Sequence, residues 1–342
     1  MIEGNPLPPN TGGTEEPTPA HLPTLPKREG NDFARTLGLD WTTPAVPSLP
    51  LIGEEKVEED SAAKPTMVGT KATKPKLQVA NGYSANFDQL AQLLHAVNQD
   101  SRQKIPIAEL AESVGLATRQ MEQLTSIAVA LGLILPRTMV LTTVGALIGA
   151  HDQFFDDMGS LWFLHYVIGS NPQLLIWNRF VNVFLPAKPN FSTDELRCSF
   201  DDLKLTHSEY SARAHVNKEI NTILDAYTNQ QFAKLAYLRQ TDEGYSLGYR
   251  QPVPLLVLAA SISRFRDRHH AGNTAVSVRD LLTADNSPGV VFQMHEDTLR
   301  AGLEQLKHGH GFSLEARADL DQLRFAEDIP EHVFMERYYA SR

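Results

Sequence analysis

The sequence predicts a mainly α protein with small β-hairpin wings. Two winged helix-turn-helix-like units are joined by a helical middle region and preceded by a disordered N-terminal tail. Three observations predict it. Apolar residues recur at helical spacing in long stretches between Phe87 and Leu306. Twice, three helical patterns are followed by two short apolar runs across a turn, the winged-helix order. And twelve of the 21 prolines fall before residue 82, which sets that stretch apart from the rest.

The divisions follow from composition. Residues 1–82 are rich in Pro, Ser, Thr and Gly and carry an acidic run from Glu54 to Asp60. Such a stretch buries too little apolar area to offset its ordering entropy, so it reads as a disordered Pro-rich tail. Within it, residues 31–41 (NDFARTLGLDW) form one apolar island, either a docking motif or a stray cluster. Residues 83–150 read as the N-terminal winged unit, 151–250 as the helical middle region and 251–342 as the C-terminal winged-helix-like domain.

In the first unit, Phe87, Leu90, Leu93, Leu94 and Val97 mark one helix. Pro106 opens a short second helix, Ile107–Val114, which Gly115 ends. Thr118 is a candidate cap for the third, with Met121, Leu124, Ile127, Ala128 and Leu131 on its inner face. Leu133–Leu135 and Met139–Leu141 flank Pro136-Arg137-Thr138 as a hairpin. In a winged helix the third helix enters the major groove. Thr118, Arg119, Gln120 and Gln123 would read DNA there, and Arg137 and Thr138 would form the wing tip. The charge is modest. From Ser101 to Ala150, Arg102, Lys104, Arg119 and Arg137 stand against Glu109, Glu112 and Glu122, a net of +1. Winged helices also serve as protein–protein modules, and that use fits the weak charge.

In the middle region, Asp152, Asp156 and Asp157 precede a strongly apolar helix and read as its cap rather than as a metal site. Asn171-Pro172 reads as a helix start, followed by Leu174, Leu175, Trp177, Phe180, Val181 and Phe184. Ser192–Glu195 and Thr206–Glu209 have capping-box spacing. His165, His207 and His215 are not at metal-ligand spacing. Gly244-Tyr245-Ser246-Leu247-Gly248 matches the nucleophile-elbow pattern, but no helix can follow directly across Pro252 and Pro254. A turn between two short strands is expected instead.

In the last unit a helix runs from Pro254 to about Asp267. It ends in Arg264, Arg266, Arg268, His269 and His270, either a cationic helix terminus or a phosphate clamp. Thr274–Leu282 and His295–Lys307 read as helices, Val290–Phe292 as an extended run and Phe312–Phe325 as a hairpin. The third helix here exposes Glu296, Asp297 and Glu304, which suits a protein interface better than DNA. Val333–Tyr339 should dock on the core or on a partner.

Composition narrows the function. With 31 Lys+Arg and 41 Asp+Glu the chain carries a net charge of −10, unlike a protein that coats nucleic acid by charge alone. One cysteine, Cys198, excludes a disulfide framework and points to a reducing, cytoplasmic setting. No secretory signal opens the sequence. Ile127–Ala150 is apolar but interrupted by Pro136 and Arg137, so no membrane partner is expected. His308 and His310 lack a third ligand, and no phosphate-binding loop, zinc motif or triad appears. The expectation is therefore a protein without cofactor, metal or catalytic residues.

Three stretches carry a resemblance. They are Val114-Gly115-Leu116 through Gly132-Leu133-Ile134 to Leu141-Thr142-Thr143-Val144-Gly145; Asp152-x-x-Phe155-Asp156-Asp157-x-Gly159-Ser160-Leu161-Trp162-x-Leu164-His165; and Pro288-Gly289-Val290-Val291-Phe292 with the leucine-bearing helix after it. Lys218-Glu219-Ile220 to Tyr227 fits a fourth. Together they resemble the bacterial domain-of-unknown-function family number four thousand and seven over residues 83–342. The Leu-Trp-x-Leu-His stretch is the most specific part, and Ser84–Leu94 departs from the family's usual opening. The resemblance implies a winged-helix protein of phage-defence gene neighbourhoods, and no catalytic residues. The expected function is a non-catalytic, DNA-binding accessory or regulatory subunit of a phage-defence or mobile-element system, with DNA and other subunits as partners. The alternative is a scaffold that uses its winged-helix domains to assemble a multi-subunit complex.

Overall fold

The computed structural model describes residues 75–342 apart from residues 85, 101, 103, 318 and 319. The tail expected over residues 1–82 lies outside the described residues up to residue 74. From Pro75 onward the chain is held on the fold: Lys76 bridges Leu174, and the Val79 N–H donates to Glu219. Residues 75–82, which composition assigned to the tail, thus belong to the fold, where a buried carboxylate on a distant helix holds the segment.

In chain order the first unit contains α1 (Phe87–Gln99), α2 (Ile107–Val114), α3 (Thr118–Ala130) and α4 (Thr143–His151). Next come α5 (Met158–Gly169) and α6 (Leu175–Arg179), which runs through a π-helical turn (Phe180–Phe184) into α7 (Leu185–Ala187). Then follow β1 (Asn190–Phe191), α8 (Thr193–Cys198), a 3-10 turn (Asp201–Leu205), α9 (Glu209–Thr228) and a second 3-10 turn (Gln231–Leu235). The strands β2 (Leu238–Thr241) and β3 (Gly244–Leu247) close the middle region. The last unit contains α10 (Leu255–His269), β4 (Ala275–Ser277), α11 (Val278–Thr283), α12 (Pro288–Val291), α13 (Glu296–Leu306), β5 (Phe312–Arg317), β6 (Leu320–Phe325) and α14 (Glu331–Ala340). Two small antiparallel sheets run in the orders β1-β3-β2 and β4-β6-β5. The protein is mainly helical with small sheets, as expected.

Helix α5 sits at the centre. Every residue from Gly159 to Gly169 is buried, so the helix is apolar on all sides and needs neighbours on all sides. Ser160, His165 and Tyr166 have hydrogen-bond partners, whereas the buried Trp162 indole N–H has none among the described residues. The His165 Nε2–H donates to the Val291 carbonyl (3.0 Å), and Nδ1 accepts from the Tyr227 hydroxyl (2.5 Å). The Tyr237 hydroxyl donates to the same carbonyl (3.0 Å). Burial pushes the His165 pKa down to about 4, so the ring is neutral and ties α12 to α9 across the core. At the start of α5 the Asp157 side chain accepts from Gly159 N–H and Ser160 N–H, and Asp152 accepts from Asp156 N–H and Asp157 N–H. Asp157 caps α5 as the sequence indicated, with Asp152 bracing the turn before it, while the Asp156 carboxylate pairs with Lys234.

The C-terminal helix seals this turn. Tyr338 lies against Gly159, where an added Cβ would stand 2.3 Å from its ring. The Tyr339 hydroxyl bonds Ser160 Oγ (2.6 Å), and its ring stacks on His151 at 4.9 Å. Arg342 pairs with Asp157. The Asp-Asp-x-Gly-Ser stretch is therefore a seat for α14.

Four local expectations are corrected. Asn171-Pro172 forms a turn, and the helix starts at Leu175. Val290–Phe292 is not extended, because Ser287 caps α12 through the Val290 N–H and Pro288 stands at its first position. Residues 275–277 of the expected helix form β4, recruited by β6, a partner some fifty residues away that local periodicity does not report. Ser246 lies within β3 opposite Arg239 and Asn190, and no helix follows it, so the elbow pattern is a strand. The π-helical turn was also not foreseen. The Gln293 side chain donates to the Val181 carbonyl there (3.1 Å) and to Val290 (2.7 Å).

Gly159→Ala forces a methyl into the Tyr338 ring, so it should destabilise the protein by about 1–3 kcal/mol. Chemical denaturation checks this, and Tyr338→Ala in the same background should recover part of the loss.

Candidate nucleic-acid interface

The candidate interface is built by α2, α3 and the hairpin that follows. Helix α2 ends at Gly115, whose φ of 72° is the left-handed conformation that glycine favours. Two residues later α3 begins. Its cap position is Ala117, one residue before the expected Thr118, and alanine has no side-chain acceptor. Gln120 compensates in part: its Oε1 accepts from the Ala117 N–H at 3.3 Å. Met121, Leu124, Ile127 and Ala128 are buried, as helical spacing required, and Leu131 follows them into the core.

The outward face of α3 carries Thr118, Arg119, Gln120 and Glu122, all exposed, with Gln123 half-buried beside them. Arg119 makes no ion pair among the described residues. Arg102 in the same unit is by contrast tied to Asp100 (2.7 Å) and Glu109 (2.9 Å). Nearby cations are thus not equally available.

After α3 the chain turns back. Ile134 bridges Leu141, the Leu135 N–H donates to Val140 (2.9 Å), and the Thr142 N–H donates to Leu133 (2.9 Å). Thr142 caps α4 through the Gly145 N–H, and Gly145 gives room for the hairpin, since a Cβ there would stand 2.1 Å from the Leu133 oxygen. The two apolar runs expected to pair do so as a short hairpin with a single bridge. Its tip is Leu135-Pro136-Arg137-Thr138, closed by Thr138 N–H to Leu135 O (3.4 Å) and by Thr138 Oγ1 to the same oxygen (3.2 Å). Arg137 is exposed, makes no ion pair among the described residues, and has φ 67°. A left-handed backbone at a non-glycine residue costs free energy, so the tip keeps a cation at a position better suited to glycine.

The second cluster, on α10, behaves differently. Arg264 pairs with Glu331 of α14 (2.5 Å), and its side chain is 15% exposed. Arg266 is 6% exposed, bonds Asp267 (2.6 Å) and Asp328, and lies over the Phe325 ring at 4.5 Å. These two hold α10 to α14 and to the C-terminal sheet, so they are corrected from phosphate contacts to structural cations. Arg268 is exposed at the last turn of α10. The structure therefore gathers Thr118, Arg119, Gln120 and Gln123 on one helix and places Arg137 and Thr138 on the adjoining hairpin. Arg264 and Arg266 are withdrawn into packing by carboxylates from distant elements, which no local pattern signals.

The last unit has a parallel layout, α10, β4, α11, α13, then the β5–β6 hairpin, with α12 inserted and β6 central in its sheet. On α13, Arg300 pairs with Glu296 (2.8 Å) and Asp321 (2.5 Å), and Lys307 pairs with Glu304. Among the described residues no group of three or more His, Cys, Asp or Glu side chains could hold a metal ion. No helix among them is long and apolar enough to cross a membrane.

Fold and site together define a mainly helical protein with small antiparallel sheets. The chain belongs to the family described as Protein of unknown function (DUF4007), whose model matches residues 128–339. No curated protein matches it. Its fold is similar to that of SspB in two crystal structures. The magnesium ion-bound SspB structure superposes with a TM-score of 0.64 at 16% identity, covering 77% of this chain and 87% of that one. The other SspB structure gives a TM-score of 0.62 at 17% identity, covering 77% and 86%.

Arg137→Gly should stabilise the protein by about 1 kcal/mol, because glycine removes the left-handed strain at the hairpin tip. Urea unfolding of the two proteins measures it, and a loss of stability would mean that the Arg137 side chain packs productively.

Proposed function

We propose that this protein is a non-catalytic, DNA-binding accessory subunit of a bacterial phage-defence or mobile-element system. In this reading residues 83–150 act as a winged helix-turn-helix unit. The observation that carries it is the pair of exposed cations Arg119 and Arg137, without an ion pair among the described residues, one on the second of two helices joined by a short turn and one on the hairpin after it. Helix α3 would lie in the major groove with Arg119, Gln120 and Gln123 toward base edges and Thr118 toward phosphate. Arg137 and Thr138 would meet the neighbouring backbone. The strain kept at Arg137 supports a role for its charge beyond stability. Membership of the family supports the defence setting, through the gene neighbourhoods that the resemblance implies.

A second reading has its own observation. The corresponding helix of the last unit, α13, presents Glu296, Asp297 and Glu304, and its cations are already paired with carboxylates. That surface would repel phosphate and suits a basic protein partner. The protein would then assemble other subunits on its C-terminal face.

DNA retention by the full chain across a salt series separates the readings. Binding through the first unit should weaken with salt at a slope of about −0.9 per phosphate contact. Arg119→Glu should abolish retention, and Arg137→Gly should lower the slope by about one contact, both without loss of fold by circular dichroism. Absence of retention at low salt would remove the DNA reading and leave the scaffold.

A further inference from the structure

Residues 75–83 cross the outside of α6 and α9 as a strap. The Lys76 N–H donates to Gln173 (2.7 Å), and Leu175 N–H donates to Lys76 (3.1 Å). In the middle, the Val79 N–H is shared by both oxygens of Glu219, each at 3.2 Å. The far end is an Asn-Gly turn: Tyr83 N–H closes on Ala80 (2.8 Å), and Asn81 and Gly82 have φ of 51° and 80°. Positive φ at both central residues is the type I′ pattern, a compact hinge. Beneath the strap, Val79, Ala80 and Tyr83 roof a cavity of about 20 Å³ whose floor includes Ile127 and Leu131 from α3 and its end. Its walls are apolar, so it gains little by admitting water.

Glu219 is the point of control. It is 1% exposed, and its partners are the Val79 N–H and the Trp177 indole N–H (2.7 Å). It has no cation. Of the charged groups on the elements around it, Lys76 on the strap and Lys218 on α9 are exposed, and His215 bonds Gln78. Arg179 on α6 pairs with Asp202 (2.9 Å), and Asp88 on α1 is exposed. The cavity walls from α3 and α5 are apolar. A carboxylate buried without a counter-ion favours its neutral form.

We propose that residues 75–83 form a proton-gated strap, latched while the Glu219 carboxyl is neutral and loosened once it ionises. Burial raises the Glu219 pKa to about 7, against the opposing pull of the Trp177 and Val79 hydrogen bonds. With the strap open the carboxyl meets water and returns to its ordinary range near 4.5. The closed state therefore gains protons relative to the open one. Latching is complete below the lower value, fades as pH rises and is lost above the upper one. Because the strap rests on the inner residues of α3, its release reaches the helix that carries Arg119.

Amide hydrogen exchange on the full chain tests this, with rates corrected for the intrinsic pH dependence of exchange. The opening constant reported by Val79 should rise by roughly tenfold per pH unit between about pH 5 and pH 7 and level off above. Glu219→Gln keeps both hydrogen bonds but cannot ionise, so its opening constant should be flat. Trp177→Phe removes a donor that favours the charged form, so levelling should move to higher pH. That shift distinguishes a titrating latch from mere packing, and it keeps the test decisive if Glu219→Gln fails to fold. A flat profile in the unsubstituted protein, an unchanged slope in Glu219→Gln, or an unmoved plateau in Trp177→Phe would overturn the proposal.

Discussion

The burial of α5 on every side is the constraint on which the rest depends. A helix without a polar face leaves no side of itself to water, so the chain must supply neighbours all around it. Those neighbours come from far apart in sequence: Tyr227 of α9 and Val291 of α12 meet at His165, and Tyr338 and Tyr339 of α14 close over its first turn. The two hairpin-closed units and the middle region are therefore parts of one packed body. Removing α14 and the residues after it would strip Ser160 of its Tyr339 partner and Asp157 of its Tyr338 and Arg342 contacts, and expose the beginning of the core helix.

Charge is distributed by the same logic. Where elements from distant parts of the chain meet, cations are neutralised: Arg264 by Glu331, Arg266 by Asp328, Arg179 by Asp202. Such pairs use up charge that a phosphate would otherwise meet. Arg119 and Arg137 make no ion pair among the described residues. In a chain of net charge −10, such a local exception carries more information than the total. Glu219 is the converse case, a buried carboxyl with no cation beside it among the described residues, and it gathers a stretch of chain that composition assigned to the tail.

Much of the fold was legible in the sequence. Helices α1, α2, α3, α10 and α13 follow from apolar spacing, Gly115 from its place after a last turn, the Ser192–Glu195 capping box from its spacing, and the C-terminal hairpin from its two apolar runs. The outward residues of α3 were legible too, since the buried stripe fixes which positions remain. Local pattern misled at β4 and α12. A three-residue strand is made by its partner, and a one-turn helix by its cap.

The sequence by itself determined which segments are helical, which helix faces are apolar, and that an aspartate before α5 caps it, because these depend on interactions within a few residues. Only the tertiary structure decided which arginines remain free, that Gly159 exists to admit Tyr338, and that Glu219 holds residues 75–83. Each of those depends on groups brought together from more than fifty residues apart, and the energy of such a meeting leaves no periodicity in the chain.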